Sequence, residues 1–173
     1  MEQPLTKTTN DISVKYSKHN SFLLLNVCIL FVLPLLSITG EIIFEHELFT
    51  WMLIGKWFVF WATGIRLFTA GISQSSNPAF TARIFKMKTQ ENHIVIRELG
   101  FANISLGVMG ILSVINDHWR ILATITGCLF FGLAGIQHMF KKSENTHEMI
   151  AMIGDLFVFI ILLSYLISAI FNN

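Results

Sequence analysis

Apolar stretches, each close to the roughly 20 residues that a helix needs to cross the hydrocarbon core of a bilayer, occupy most of this sequence. The first of them, residues 21–39, contains no charged residue. Four more are predicted at about residues 49–73, 94–115, 120–139 and 148–169. A bilayer core offers no water to backbone N–H and C=O groups, so only helices and closed barrels span it. Because strands of a barrel would alternate over about 10 residues, the sequence predicts an all-α integral membrane helical bundle of five transmembrane helices.

The amino-acid composition agrees with burial in a membrane. Charged residues make up 13% of the 173 residues, against about 25% in an average soluble domain, and the mean hydropathy is +0.62. The formal net charge is +1, without the clustered basic face by which proteins bind nucleic acid. The partner expected for this surface is membrane lipid, and no nucleic-acid partner is predicted.

The basic residues are distributed unevenly between the connections, which predicts the orientation of the chain. Lysine and arginine are concentrated in residues 1–20, 74–92 and 140–147, whereas the connection 40–48 has none. By the positive-inside rule, the basic segments lie in the cytoplasm. We therefore expect a cytoplasmic tail at residues 1–20 and one transmembrane domain at 21–173, in the cell inner (plasma) membrane with the C-terminus outside.

The connection between the second and third spans resembles an interfacial helix at about residues 78–88. Asn77 stands just before Pro78, an arrangement of a capping side chain and a first-turn proline that begins many helices. Apolar residues then share one helical face, with basic residues around them: Phe80, Ile84 and Met87, and Arg83, Lys86 and Lys88. This pattern is typical of a helix lying in the membrane interface; the alternative is an ordinary basic loop.

Motifs of soluble enzymes are absent from the sequence, which has no P-loop, G-x-G-x-x-G, G-x-S-x-G, C-x-x-C or H-E-x-x-H. No reaction is therefore predicted, and whether the protein is an enzyme stays open. The candidate site residues are polar side chains at membrane depth, where an Arg or Asp at mid-helix costs about 2.5–3.5 kcal/mol on insertion scales. They are Arg66, Glu98, Asn103, His138 and Asp155.

Each candidate has a structural explanation beside a functional one. Arg66 either pairs with Glu98 or Asp155 as structural support, reaches the lipid headgroups along its stem, or serves a ligand or a proton. Asn103 either bonds a neighbouring helix or contacts a ligand, and His138 stands at a helix end, where the dipole favours positive charge. On the predicted topology, all five lie within roughly 15 Å of the cytoplasmic boundary. We expect Arg66 and Glu98 to interact directly or through one polar group, with Asp155 as the alternative partner.

The histidines and cysteines point to no resident cofactor. A haem held by two histidines needs them at matching depth on facing helices, and no histidine lies in the middle of a predicted span. Haem is therefore not expected, and neither is a metal site built on His138 and His147. Cys28 and Cys128 fall in apolar runs, where a thiol behaves as a small hydrophobic group. The ligands that suit such a bundle are a quinone or a lipid.

Two short segments carry a family resemblance: 64–71, a helix with Arg66 that ends in small residues, and 97–103, a helix that opens with Glu98. Their order resembles the DoxX-like superfamily of small bacterial multi-pass membrane proteins, in particular an uncharacterised branch, over about residues 51–166. The resemblance implies a four-helix core in the inner membrane, to which the first span is an addition, with Arg66 and Glu98 matching the family's charged pair. Some relatives are subunits of thiosulfate:quinone oxidoreductases or partners in oxidative-stress complexes. Relatives that act on thiols have exposed cysteines, and this chain has none outside its spans.

Two classes of function follow from these observations. In the first, the protein binds a hydrophobic ligand, a quinone or a lipid, or serves as an accessory subunit of a membrane redox complex, as a homo-oligomer or with other subunits. Arg66, Glu98 and Asn103 would then supply the few polar contacts that orient the ligand. In the second, it is a proton-coupled transporter or channel in which Glu98 and Asp155 exchange protons beside Arg66. An enzyme that uses Glu98 or Asp155 as general acid or base on a lipid is a third hypothesis, without a nucleophile–base pair to support it.

The predicted topology is tested by reporter fusions after Asn20 and after Asn173, read out by compartment-specific enzyme activity. With five spans, we expect the first reporter to be cytoplasmic and the second to be outside, because an odd number of crossings separates them. Reporters in the same compartment would require an even number of spans and would overturn the topology.

Overall fold

A computed structural model describes residues 24–84, 92–140 and 146–171, and this described part is almost entirely helical, without a strand. Its helices are α1 (Leu24–Phe44), α2 (51–76), α3 (Pro78–Ile84), α4 (Asn92–Leu112), α5 (Asp117–Phe140) and α6 (Thr146–Phe171). Helix α2 is continuous but has three parts, which are Trp51–Phe58, a π-helical segment Val59–Arg66, and Leu67–Ser76. Helix α1 contains a second π-helical segment, Cys28–Val32.

Four of these helices, α1, α4, α5 and α6, are long and apolar enough to cross a membrane. The protein is thus a multi-pass helical membrane protein, as the sequence predicts. Helix α2 is not one of the four, because Lys56 and Arg66 lower its hydropathy. At roughly 1.5 Å per residue, it is nevertheless long enough to cross a hydrocarbon core of about 30 Å. The fifth crossing, by α2, remains a prediction.

Long helices that follow each other along the chain run antiparallel, which gives the bundle two ends. Lys56 of α2 meets Glu41 of α1, and Gly135 of α5 packs beside Leu156 of α6. We call the end where α2 finishes and α4 begins the 76/92 end, and the end where α1 finishes and α2 begins the 44/51 end. Residues of different helices can be placed in depth relative to these two ends.

The closest packing is between α2 and α4, where glycines replace side chains. A Cβ atom on Gly110 would lie 2.4 Å from the backbone nitrogen of Gly64, and one on Gly100 would lie 2.9 Å from the carbonyl oxygen of Gly71. Contacts this close between backbones are open only to residues without a side chain. The glycine stripe of α4 therefore fixes the register of the two helices, with Gly64 level with Gly110 and Gly71 level with Gly100.

A hydrophobic core lies between α1, α2, α5 and α6. Its most buried members are Val59, Ala62, Phe131, Val158 and Leu162, each with 0% of its surface exposed. Large apolar side chains cover the outside of the bundle instead, as in Leu35 of α1, Leu129 and Leu133 of α5 and Ile160 of α6. This arrangement suits a surface that faces lipid tails rather than water.

Helix α1 is attached to α2 by polar contacts at the 44/51 end. Lys56 Nζ lies 2.5 Å from Glu41 Oε1, and the Trp57 indole donates a hydrogen bond of 2.6 Å to Glu41 Oε2. The Trp61 indole donates to Ser37 Oγ at 2.9 Å. Glu41 thus belongs to α1, which continues to Phe44 rather than ending near residue 39. Because Lys56 has this partner within the bundle, its side chain does not need to extend to the lipid headgroups.

A short helix, α3, stands where the sequence predicts an interfacial one. Asn77 Oδ1 accepts a hydrogen bond from the backbone N–H of Phe80 at 3.2 Å, which is the expected cap. Pro78, Thr81 and Ala82 are buried, whereas Phe80 is half-buried and Arg83 is exposed. Residues 85–88, including Met87, lie outside the described part of the chain, so the predicted face over 78–88 is seen only in part.

The glycine packing predicts that one added methyl group destabilises the protein at Gly110 but not at Gly40. We expect Gly110→Ala to lower the free energy of unfolding by about 1–3 kcal/mol, since the new Cβ would overlap backbone atoms and force the helices apart. Gly40→Ala is the control, because its Cβ would meet no atom within 4 Å; it should be neutral or stabilise by at most about 1 kcal/mol. Thermal unfolding in detergent, followed by tryptophan fluorescence, measures both. Equal stability of the two variants would contradict the backbone contact.

Candidate functional site

An ion pair between Arg66 and Asp155 lies inside the bundle, away from both ends. Arg66 is the last residue of the π-helical segment of α2, and Asp155 stands on α6. Arg66 Nη2 is 2.9 Å from Asp155 Oδ1, with 16% of the arginine side chain and 7% of the aspartate side chain exposed. A charge alone at this depth is costly, so each of these side chains stabilises the other there.

Two further helices complete the surroundings of Arg66. Its Nε donates a hydrogen bond of 3.4 Å to Asn26 Oδ1 of α1, and its guanidinium carbon lies 5.1 Å from the ring centroid of Phe131 on α5. A guanidinium over an aromatic face gains electrostatic energy when it is shielded from water. Four helices therefore meet at one cation, and the π-helical segments of α1 and α2, which pack against each other, stand beside it. Such segments are frequent at functional sites.

A histidine joins this pair from the 76/92 end. His138 Nε2 of α5 lies 4.0 Å from Asp155 Oδ2, and 23% of the histidine side chain is exposed. The contact is attractive when the imidazole is protonated. His138, Asp155 and Arg66 form what we call the triad, in which one carboxylate lies between a guanidinium and an imidazole.

The triad retains hydrogen-bonding capacity that its neighbours do not use. Arg66 Nη1 is buried and has no hydrogen-bond partner among the described residues. Asp155 Oδ1 makes no hydrogen bond there either, so its 2.9 Å contact with Arg66 Nη2 is electrostatic rather than a well-aligned hydrogen bond. A buried donor without an acceptor is rare in native proteins and calls for water, an ion or a ligand.

The expected pair of Arg66 with Glu98 is wrong, and the alternative partner Asp155 is the observed one. Glu98 is exposed on α4. The glycine register places Arg66 level with the region of Gly107, whereas Glu98 is level with the last turn of α2. The offset of about nine residues amounts to roughly 13 Å along the helix. Hydropathy placed both residues on the same side of the membrane but could not resolve this difference in depth.

Asn103, the remaining candidate, belongs to a different contact. It is 2% exposed, and its Nδ2 donates a hydrogen bond of 2.8 Å to Gln74 Oε1 of α2. Its Oδ1 is a further buried atom without a partner in the described part. The structure thus brings Arg66, Asp155 and His138 together and leaves Glu98 and Asn103 apart from them.

Sequence reasoning missed several residues of this region. Asn26 and Phe131 looked like ordinary members of apolar spans, and no spacing in the sequence relates either of them to Arg66. Arg120 is the first residue of the predicted span 120–139, where no role was predicted for it, but it is 5% exposed and pairs with Asp117 three residues earlier. The spacing of Asp117 and Arg120 on one helix was the available signal for that pair.

Neither thiols nor metal ligands are clustered within the described ranges. Cys28 and Cys128 are both free, and no group of three or more His, Cys, Asp or Glu side chains could hold a metal ion there. At the triad, Arg66 Nη1 could bind a hydrogen-bond acceptor, and His138 and Asp155 are placed to exchange a proton.

Comparison with known proteins gives one match. The model of a family described as a family of unknown function (DUF6790) matches residues 21–171. No curated protein and no solved structure matches the chain. The resemblance to the DoxX-like superfamily thus stays a prediction.

The ion pair predicts strong coupling between two substitutions. We expect Arg66→Leu to lower the free energy of unfolding by about 3–5 kcal/mol, because Asp155 is left as a buried charge without its partner, and Arg66→Leu with Asp155→Leu to recover most of that loss. Glu98→Leu is the control, and its effect should add to that of Arg66→Leu within about 0.5 kcal/mol. Chemical unfolding in detergent measures the cycle. Additive losses for Arg66 and Asp155, or coupling of Arg66 to Glu98, would refute the pairing.

Proposed function

The chain belongs to the DUF6790 family, a family of unknown function, and we propose that it binds an amphipathic ligand, a quinone or a lipid, at the triad of Arg66, Asp155 and His138. The observation that carries the proposal is the buried Arg66 Nη1, which has no acceptor among the described residues. A carbonyl, ester or phosphate oxygen of such a ligand would supply that acceptor. A hydrogen bond to a charged donor contributes about 1.5–3 kcal/mol.

The surroundings of the triad suit a ligand of this class. Phe131, a member of the apolar core, covers the guanidinium, as apolar walls do in pockets that bury most of a ligand and orient it with few polar groups. Asp155 balances the charge of Arg66, so a neutral headgroup is not penalised by an unpaired cation. His138 Nε2 lies 4.0 Å from the other carboxylate oxygen, Asp155 Oδ2, so a proton from His138 would reach a bound quinone through Asp155.

In the proposed topology, the N-terminus lies in the cytoplasm and the protein resides in the inner membrane. The triad then stands in the cytoplasmic half of the bilayer, because the 76/92 end faces the cytoplasm. A quinone bound there would allow the protein to act as an accessory subunit of a membrane redox complex. A lipid bound there would indicate a role in holding or presenting that lipid.

A second candidate function is proton-coupled transport, and one contact favours it. His138 Nε2 is 4.0 Å from Asp155 Oδ2, so the two groups can exchange a proton with little movement. In this form of the hypothesis Glu98 has no role in the relay, since it is exposed and displaced from Arg66 along α4. The relay would consist of His138 and Asp155, with Arg66 as the fixed counter-charge.

Ligand binding is tested by native mass spectrometry of protein extracted from the membrane in mild detergent, with wild type compared with Arg66→Lys. Lysine keeps the cation beside Asp155 but lacks the second guanidinium nitrogen, so we expect a retained quinone or lipid to bind about 10–100-fold more weakly, the equivalent of one charged hydrogen bond. Lys56→Arg, at the half-buried ion pair with Glu41, is the matched control and should retain the ligand.

The mass of the retained molecule distinguishes a quinone from a lipid, and a change of absorbance on reduction identifies the quinone. A ligand retained equally by wild type and Arg66→Lys would mean that Arg66 does not hold it. Wild type without any retained molecule, in several detergents, would overturn the proposal.

A further inference from the structure

One face of α5 carries polar or small residues from one end of the bundle to the other, except at Phe131. Residues 117, 120, 124, 127, 131, 135 and 138 follow each other at intervals of three or four, so they share a face of the helix. The charged or hydroxyl-bearing members are Asp117, Arg120, Thr124 and His138, and the glycines are Gly127 and Gly135. The face between the two ends, from Arg120 to Gly135, is buried against α2 and α6.

At the 44/51 end, this face begins with a second ion pair. Arg120, 5% exposed, pairs with Asp117, whose side chain is 77% exposed, and Tyr165 of α6, which is 1% exposed, lies near its guanidinium. The pair therefore connects a carboxylate at the surface to a guanidinium and a phenol in the interior. Arg120 Nε is buried and has no partner among the described residues.

Two buried hydroxyls lie between this pair and the triad. Thr124, 0% exposed, donates a hydrogen bond of 2.6 Å to the carbonyl oxygen of Arg120. Thr63 of α2 is also 0% exposed, and its Oγ1 has no partner in the described part. A Cβ atom on Gly127 would lie 2.4 Å from Thr63 Oγ1, so glycine at 127 leaves the space that the hydroxyl occupies.

The buried polar atoms without partners are not scattered through the bundle. Four of them lie along the polar face of α5 and the side chains of α2 and α6 beside it, which we together call the seam: Thr63 Oγ1, Arg66 Nη1, Arg120 Nε and Asp155 Oδ1. The fifth, Asn103 Oδ1, lies between α2 and α4. Buried polar atoms are normally satisfied, and ordered water is the usual partner where protein groups are missing. Successive polar positions on the seam are about 4.5–6 Å apart in depth, a distance that one water bridges with two hydrogen bonds.

We propose that this seam, from Asp117 through Arg120, Tyr165, Thr124 and Thr63 to the triad, conducts protons across the bundle along hydrogen-bonded water. The proposal rests on the second candidate function above and not on ligand binding. Of the side chains that form this path, Thr63 is the one that stands between Thr124 and Arg66. The path therefore depends on its hydroxyl at that point. Each guanidinium is paired with a carboxylate, so neither one presents an unpaired positive charge to a passing proton. The proton enters at one surface carboxylate or imidazole and leaves at the other, and no bond other than O–H and N–H is made or broken.

Proton flux into liposomes tests the path. Protein is reconstituted with a pH-sensitive dye, a potassium gradient and valinomycin, so that potassium efflux drives proton uptake. We expect wild type to exceed empty liposomes and Thr63→Val to reduce its flux at least tenfold, since valine keeps the shape and removes the hydroxyl. Thr63→Ser restores the hydroxyl and should conduct. Thr126→Val is the matched control, because Thr126 Oγ1 is bonded to the carbonyl oxygens of Leu122 and Ala123 on another face of α5.

The possible results distinguish a failure of proton conduction as a whole from a failure of this particular path. Wild-type protein without flux above empty liposomes would overturn proton conduction as a whole. Thr63→Val that conducts like wild type would overturn the path while leaving a proton function by another path. Tyr165→Phe, which removes a second hydroxyl of the seam, should also reduce flux and replaces Thr63→Val in the test if that variant does not fold. Retention of the ligand by these variants, measured by native mass spectrometry, reports on the ligand proposal separately.

Discussion

The ion pair of Arg66 and Asp155 is the interaction on which the arrangement of this bundle depends. A guanidinium in the middle of a membrane helix is tolerated when a carboxylate reaches it and the remaining donors are satisfied. Asp155 meets the first condition at 2.9 Å, and Asn26 and Phe131 contribute to the second. Because these four residues stand on α2, α6, α1 and α5, the cation brings together all the helices that form the hydrophobic core.

The backbone is shaped to place this pair. Glycines 64, 71, 100 and 110 let α2 and α4 approach until their backbones touch, and this contact holds one side of α2. The π-helical winding of Val59–Arg66 changes the angular relation between the residues before it and those after it, since a π turn contains more residues than an α turn. The result is that Arg66 faces Asp155 while Leu67, the next residue, is buried at 2% exposure in the core.

Much of the fold could be read from the sequence, and the reason is that membranes constrain chains strongly. Length and apolarity identified the long helices. The predicted helix ends were less accurate. Glu41 falls in the predicted connection 40–48 but lies in α1, because a charged residue with an ion-pair partner can remain within a helix. The candidate site was predicted in part: Arg66, Asp155 and His138 were identified, but Glu98 was preferred as the partner. Depth counted from a predicted boundary does not reveal the register that backbone contacts set, and Asn26 and Phe131 are recognisable only once the helices are assembled.

The direct contact between Arg66 and Asp155 inside the membrane is open to measurement. Solid-state NMR in lipid bilayers can measure this contact through the dipolar coupling between the guanidinium nitrogens of Arg66 and the carboxyl carbon of Asp155, with Asp155→Asn as the reference. We expect a strong coupling between the Arg66 nitrogens and the Asp155 carboxyl carbon, consistent with the 2.9 Å separation of nitrogen and oxygen. We expect no coupling to the carboxyl carbon of Glu98. A coupling of Arg66 to Glu98, or to neither carboxylate, would contradict the direct contact.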